Sequence, residues 1–169
     1  MVFQGWALFG WVTVEENVGF PLKIFTRKSS KEIRDRVNDC LTRVKLSNVN
    51  DLLPSEISGG MKKRVGIARA ISMNPKYLFV DEPNSGLDPQ TSIVIDDLIK
   101  EITIEYNMTT VINTHDMNSM FTMGDHVLFL HNGHKYWEGN PRKIKESGVD
   151  ELMKFVFAAK FLKEIHQDI

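Results

Sequence analysis

Residues 77–83 read Tyr-Leu-Phe-Val-Asp-Glu-Pro, an apolar run that ends in two adjacent acids and a proline. The run has the length and character of a buried strand. In a parallel sheet, ligands bind beyond the carboxyl ends of the strands, and adjacent carboxylates there are costly unless a cation or substrate uses them. Asp81 suits Mg²⁺, and Glu82 suits orienting or deprotonating a water in nucleotide hydrolysis. The alternative is a solvated strand-to-turn corner.

The segments around this run alternate between helices and strands. Another β-branched strand covers residues 109–113, and Asn132-Gly133 is typical of a two-residue hairpin turn. Helices are predicted at Val14–Leu22, from Ser29 or Ser30, at about Gly60–Met73, after Asp88-Pro89, and at about Asp150–Ile165, the last with Leu152, Phe155, Val156, Ala159 and Leu162 on one face. This order predicts an α/β fold with a mainly parallel sheet and an antiparallel edge.

Three further places carry candidate chemistry. Ser58-Gly59-Gly60-Met61 begins a predicted helix, where unpaired N–H groups and the helix dipole favour a phosphate oxygen. The alternative is a plain serine cap followed by flexible glycines. His115 follows the second strand and could contact a γ-phosphate, although a lone histidine there is more often structural. Gln4, a lone amide after an N-terminal strand end, is a weaker signal.

Composition sets limits on the function. The 169 residues are 42% hydrophobic and 25% charged with net charge −1, typical of one globular domain and against a binder driven by phosphate neutralisation of nucleic acid. One cysteine, Cys40, suits a reducing compartment. No apolar run approaches the roughly 20 residues that span a bilayer. A membrane connection is therefore expected only through a partner.

The order of these motifs resembles the ABC ATPase family over nearly the whole chain. Arg64, Arg69 and Ala70 also follow the family pattern. The matching motifs, in chain order, are the Q-loop glutamine Gln4, the signature Ile57–Met61, Walker B with its catalytic glutamate at Phe79–Pro83, the D-loop Ser85–Asp88, and the switch histidine in Thr114-His115-Asp116.

The resemblance implies a P-loop NTPase-like fold and roles for single residues. Glu82 is the expected catalytic base or water-positioner, and His115 senses the γ-phosphate. Asp81 and Gln4 serve Mg²⁺, and Asp88 links the two ATP sites of a dimer. The remaining ATP contacts are Ser58, Gly59, Gly60 and Met61. Residues 13–68 are expected to form the helical subdomain, 69–148 the catalytic sheet part, and 149–169 a C-terminal helix.

A narrower resemblance concerns Met61, which stands where the signature usually ends in glutamine. A Gly-Gly-Met signature and the stretches 3–9 and 13–22 are similar to the lipid-handling ATPases of the Mla type. That similarity implies phospholipid transport across the Gram-negative envelope. It also implies an ATPase homodimer held at the cytoplasmic face of the inner membrane by a permease.

One expected element is missing from the sequence. No Gly-x-x-x-x-Gly-Lys followed by Ser or Thr occurs, although this loop normally grips the β- and γ-phosphates. The interpretation is a chain that lacks its N-terminal strands and phosphate loop and hydrolyses no ATP by itself. The alternatives are an ABC ATPase serving another transporter or DNA maintenance, and a non-catalytic module that binds a membrane partner.

Aromatic residues near Gln4 have two interpretations. They either pack into the helical subdomain or line a groove for a helix of the membrane subunit. Both can hold, because a groove needs a packed floor. The residues are Phe3, Trp6, Phe9, Trp11 and Phe20.

Overall fold

The computed structural model describes residues 1–5 and 7–157. The chain divides into two compact units, Met1–Asn113 and Thr114–Ile169. Their boundary falls inside segment 69–148, so the residues predicted as one catalytic sheet part are divided between the two units. The predicted roles of the three segments stay predictions.

The described residues of the first unit form four α-helices and a small sheet. Thr13 and Ser29 cap the first two helices, each in a capping box with a glutamate three residues later. These caps confirm the predicted helix starts. The helices are α1 (Val14–Phe25), α2 (Ser30–Arg43), α3 (Gly59–Ile71) and α4 (Pro89–Glu105), with a short 3-10 turn at Pro54–Glu56.

The predicted end of α1 was wrong. The helix continues past Pro21 to Phe25 instead of ending at Leu22. Leu22 is fully buried, so packing keeps the residue after the proline in the helix, and the added residues Lys23, Ile24 and Phe25 are exposed. Thr26 then closes the helix, its backbone N–H donating to the Leu22 carbonyl at 3.1 Å.

The sheet of the first unit is parallel, as predicted. Strand β1 (Tyr77–Asp81) pairs with β2 (Thr109–Asn113). Val2 adds a parallel bridge to Val80 on β1. The Val2 N–H donates to the Phe79 carbonyl at 2.7 Å, and the Asp81 N–H donates to the Val2 carbonyl at 2.9 Å. The chain therefore leaves all three segments at the same sheet edge.

The second unit carries a hairpin. Asn132 and Gly133 join its strands with φ of 49° and 76°, the left-handed pair that a tight hairpin turn requires. The hairpin forms a sheet of its own, so the predicted single sheet with an antiparallel edge was wrong for the described residues. A two-residue turn pairs both strands locally. The elements are α5 (Met117–Met123), β3 (Val127–His131), β4 (His134–Gly139) and a 3-10 helix at Pro141–Glu146.

Only the first part of the predicted C-terminal helix lies within the described residues. Residues 150–157 are helical, which agrees with the predicted start. Leu152 is buried, and the Phe155 ring lies 5.9 Å from the Phe129 ring on β3. Ala159 and Leu162 lie outside the described residues.

A polar junction holds the end of α3. The Arg36 guanidinium on α2 donates to the carbonyls of Ile71 at 2.9 Å and Ser72 at 3.1 Å. It also lies 5.7 Å above the Tyr106 ring and pairs with Asp39. Since these carbonyls end a helix, the cation satisfies acceptors that have no partner within α3.

We expect Arg36→Ala to lower the free energy of unfolding by about 2–4 kcal/mol, because several partly buried acceptors lose their donor together. Arg34→Ala is the matched control. Arg34 is 62% exposed and makes one ion pair with Glu15, so its loss should cost under about 1 kcal/mol. Urea unfolding of the full-length protein measures both, and equal losses would contradict the assigned role of Arg36.

Candidate functional site

The predicted Q-loop glutamine lies beside the turn that follows β1. The Gln4 Nε2 donates to the Ser85 hydroxyl at 3.1 Å. Val2, two residues earlier, bridges β1 at Val80. The structure therefore brings Gln4 to the sheet edge where the two acids lie.

Asp81 is the last residue of β1. Its Oδ1 accepts a hydrogen bond of 2.7 Å from the Asn113 side chain at the end of β2. This bond orients the carboxylate and leaves the second oxygen for other contacts. Proteins hold Mg²⁺ through one or two carboxylates plus substrate phosphates. The carboxylate of Asp81 and the amide oxygen of Gln4 are hard oxygen donors of the required kind.

Glu82 has an unusual backbone conformation. Its φ is 47°, in the left-handed region that residues other than glycine rarely adopt. Its N–H donates to the Asn113 carbonyl at 2.9 Å, which extends the strand pairing by one residue. Such conformations cost free energy and cluster at functional sites. The chain turns sharply at the residue predicted to be catalytic.

Hydrogen bonds to side chains on α3 and α4 hold the turn after Glu82. The Asn84 side chain donates to Asp96 Oδ1 on α4 at 2.7 Å. The Lys63 ammonium on α3 donates to the carbonyls of Pro83 and Ser85, the latter at 2.8 Å. Both Lys63 and Asp96 are buried. The sequence analysis missed these contacts.

The start of α3 has the expected cap geometry. Ser58 Oγ accepts the Met61 N–H at 3.3 Å, and Lys62 donates to the Ser58 carbonyl at 2.9 Å. The N–H groups of Gly59 and Gly60 come before this first helical bond and have no acceptor within the helix. A Cβ on Gly59 would meet no atom within 4 Å, so the helix start is sterically open.

The starts of α3 and α4 lie side by side. A Cβ at Gly60 would lie 3.1 Å from Thr91 Cγ2 on α4. Asp88 caps α4 by accepting the Thr91 N–H at 2.9 Å. The Thr91 hydroxyl, followed by its backbone N–H, lowers the pKa of the Asp88 carboxyl, which favours its ionised form. The predicted signature and D-loop residues are thus neighbours.

His115 belongs to the second unit. It is exposed and lies between β2 and α5, where Asp116 caps α5. Its role as a γ-phosphate sensor stays a prediction.

The aromatic residues near Gln4 divide between the two interpretations. Phe9 is half-buried, with its ring 5.6 Å from Trp11, 4.9 Å from Phe20 and 5.9 Å from the Arg69 guanidinium. Trp11, however, is 80% exposed and Phe20 is 42% exposed. Phe3 is also exposed, and Trp6 lies outside the described residues. The half-buried Phe9 fits packing into the helical subdomain, and the exposed Trp11 and Phe20 fit a groove with an exposed apolar rim.

The part of the chain that the structure describes, residues 1–5 and 7–157, shows neither a metal cluster nor a membrane-spanning helix. No group of three or more His, Cys, Asp and Glu side chains there could hold a metal by itself. Within the same residues, no helix has the length and apolar character needed to cross a membrane.

Several known proteins are similar to this chain in sequence. The sequence profile described as ABC transporter matches residues 1–85. The methionine import ATP-binding protein MetN 4 of Oceanobacillus iheyensis is 42% identical over 169 residues, which are 100% of this chain and 49% of that protein. The probable ribonucleotide transport ATP-binding protein mkl of Mycobacterium bovis is 40% identical over 144 residues, which are 85% of this chain and 40% of that protein.

A solved structure gives the same result for the fold. The dimeric, post-hydrolysis ATP-binding cassette MJ0796 bound to ADP and Pi has a TM-score of 0.74 and 35% identity, over 83% of this chain and 62% of that one. The α/β fold of an ABC ATPase cassette is thereby confirmed. The chain spans about half the length of the two sequence relatives. With the matched profile and the ordered motifs, the chain belongs to the ABC transporter family.

Proposed function

We propose that this chain forms the hydrolytic and signature part of the ATP-binding subunit of an ABC transporter. The observation that carries the proposal is the sheet edge itself, where Asp81, Glu82 and Gln4 meet around one sharp turn. The left-handed backbone at Glu82 supports the proposal, because such conformations cluster at functional sites. The test compares ATP turnover of the full-length protein, meaning the whole proposed ATP-binding subunit, with turnover of its Glu82→Gln variant.

In this proposal, each residue at the sheet edge has one task. Glu82 orients the attacking water and accepts its proton. Asp81 and Gln4 would hold Mg²⁺, which neutralises charge on the β- and γ-phosphate oxygens when bound. Asn113 keeps the Asp81 carboxylate in place through its 2.7 Å bond. His115 senses the γ-phosphate.

We further propose that two copies work head to tail. The N–H groups of Gly59 and Gly60, with the Ser58 hydroxyl and Met61, meet the γ-phosphate bound by the partner copy. The sterically open start of α3 supports this arrangement, since a phosphate needs close access to the backbone. Asp88 links the two sites from the neighbouring helix start. MJ0796, the structural neighbour, is itself dimeric.

The partner at the membrane is proposed to be a permease subunit that docks on an apolar rim. We use this name for Trp11, Phe20, Ile24 and Phe25, which are between 42% and 80% exposed. Three of them lie on α1. Exposed apolar side chains at helical spacing suit a helix of the partner. This contact would hold the ATPase at the cytoplasmic face of the inner membrane.

We expect Phe25→Glu to weaken binding to the permease at least about tenfold, because a charge enters an apolar contact. The free energy of unfolding should change by less than about 0.5 kcal/mol, since Phe25 is 73% exposed. Ile104→Glu is the matched control, because Ile104 is 71% exposed on α4. Copurification with the permease measures binding, and equal loss in both variants would contradict a specific rim.

The narrower proposal concerns the cargo. The Gly-Gly-Met signature and the stretches 3–9 and 13–22 support a phospholipid. The two sequence relatives are named for methionine import and ribonucleotide transport, and so give this assignment no support. ATPase stimulation of the reconstituted complex by phospholipid, compared with methionine, tests the cargo. Stimulation by methionine alone would favour an ATPase of another transporter.

A further inference from the structure

Lys63 is a buried cation that the proposed reaction does not use. It lies on α3 and is only 4% exposed. Its ammonium donates to two backbone carbonyls, those of Pro83 and Ser85. Pro83 directly follows Glu82, and Ser85 lies three residues after it. One side chain on the signature helix therefore grips the turn that carries the expected catalytic residue.

This arrangement is costly for a lysine. Burial lowers the pKa of Lys63 to about 8, and the nearby Glu82 carboxylate only partly offsets that effect. Lysine is rarely buried unless its charge has partners. An apolar residue at this helix position would avoid the cost of desolvation but would leave two inward-facing carbonyls without a donor.

We propose that Lys63 is a positioning residue that sets the place of the Glu82 turn relative to the start of α3. The inference rests on the proposed ATPase function. An ammonium has three donors, and here two of them hold carbonyls on either side of Asn84. With both carbonyls held by one cation, the turn has little freedom to shift against α3.

The contact between Lys63 and the Glu82 turn connects the two ATP sites of the proposed dimer. Gly60 lies one helical turn before Lys63 on α3, and a helix transmits displacement along its length as a rigid element. In the head-to-tail dimer, the start of α3 meets one nucleotide while Glu82 serves the other. Lys63 is thus the link by which engagement of one γ-phosphate places the water-orienting carboxylate of the second site.

Four variants of the full-length protein with its permease test this role. Lys63→Met removes donor and charge with little change in length, and Lys63→Arg keeps both. Lys63→Gln keeps a shorter, neutral donor. Lys76→Met is the matched control, because Lys76 is exposed. For each variant, kcat and KM for ATP are measured, and ATP affinity is measured in the Glu82→Gln background.

We expect Lys63→Met to lower kcat at least about tenfold with KM and ATP affinity within about twofold of wild type. Lys63→Arg should recover kcat to within about threefold, with Lys63→Gln between the two and Lys76→Met unchanged. A merely structural role would lower affinity and thermal stability together with kcat, and that result overturns the inference.

Two further outcomes are decisive. If Lys63→Met does not fold, Lys63→Gln decides: a kcat equal to wild type overturns the inference, and a reduced kcat at normal ATP affinity supports it. If Lys63→Met turns over at the wild-type rate while Glu82→Gln is inactive, only the inference fails. If turnover does not depend on Glu82, the proposed function itself fails.

Discussion

Glu82→Gln in the full-length protein is expected to reduce ATP turnover at least about a hundredfold, the usual contribution of a general base. ATP should stay bound and the dimer closed, because the proposed phosphate contacts come from residues other than Glu82. The fold should tolerate the change. Glutamine has the same size, and the backbone bond from residue 82 to the Asn113 carbonyl is unaffected.

Glu146→Gln is the matched control for this experiment. Glu146 is exposed and ends the 3-10 helix of the second unit. Its change should leave turnover unaltered. Phosphate release and ATP affinity are measured in parallel. If Glu82→Gln retains more than about a tenth of the wild-type kcat, a loss under roughly 1.4 kcal/mol, Glu82 is not the principal catalytic group.

The sequence was sufficient for features whose signals are local. Thr13 and Ser29 each carry a glutamate three residues later, and both make the capping box. Asp88-Pro89 begins α4, and Asn132-Gly133 makes the hairpin turn. Local signals failed at the end of α1, where the helix continues past Pro21 to Phe25 although Ile24 and Phe25 are exposed. Sheet membership of the hairpin also could not be read locally.

In the candidate site, too, the sequence predicted the local features but not the tertiary contacts. The acids at the end of β1 and the serine cap of α3 follow from a strand end and a helix start. The contacts that hold them do not. Lys63 donates to carbonyls that lie 20 and 22 residues further along the chain. The Asn113 side chain, at the end of β2, donates to Asp81 at the end of the neighbouring strand β1. Partners chosen by tertiary packing leave no pattern in a single sequence.

A substitution at Gly59, in the predicted signature, is expected to have the second large effect on ATP turnover. Gly59→Asp should abolish ATP-driven closure of the dimer and lower turnover at least about a hundredfold, because a carboxylate would stand where the γ-phosphate of the partner copy is proposed to bind. The monomer should stay folded. Nothing lies within 4 Å of the added Cβ, and an acid in the first turn suits the helix dipole.

Ser30→Asp is the matched control. Ser30 is the first residue of α2 and follows a serine cap, as Gly59 follows Ser58 in α3. The same charge is therefore introduced at the same helix position, away from the proposed site. Turnover should be unaffected. Thermal unfolding of both variants checks that neither acid destabilises the monomer, and loss of activity in both would point to a general effect of added charge.

Mixing two inactive proteins tests whether the signature acts on the partner copy. The mixed dimer pairs one Glu82→Gln chain with one Gly59→Asp chain. In the head-to-tail arrangement, one of its sites contains both substitutions, and the other contains an unchanged Glu82 and an unchanged signature. Random mixing makes half of the dimers mixed, so independent sites should recover up to about a quarter of wild-type turnover. A chain carrying both substitutions, mixed with either single variant, has no intact site and should recover nothing. If the mixture of single variants also stays inactive while heterodimers form, a head-to-tail arrangement with independently active sites is wrong.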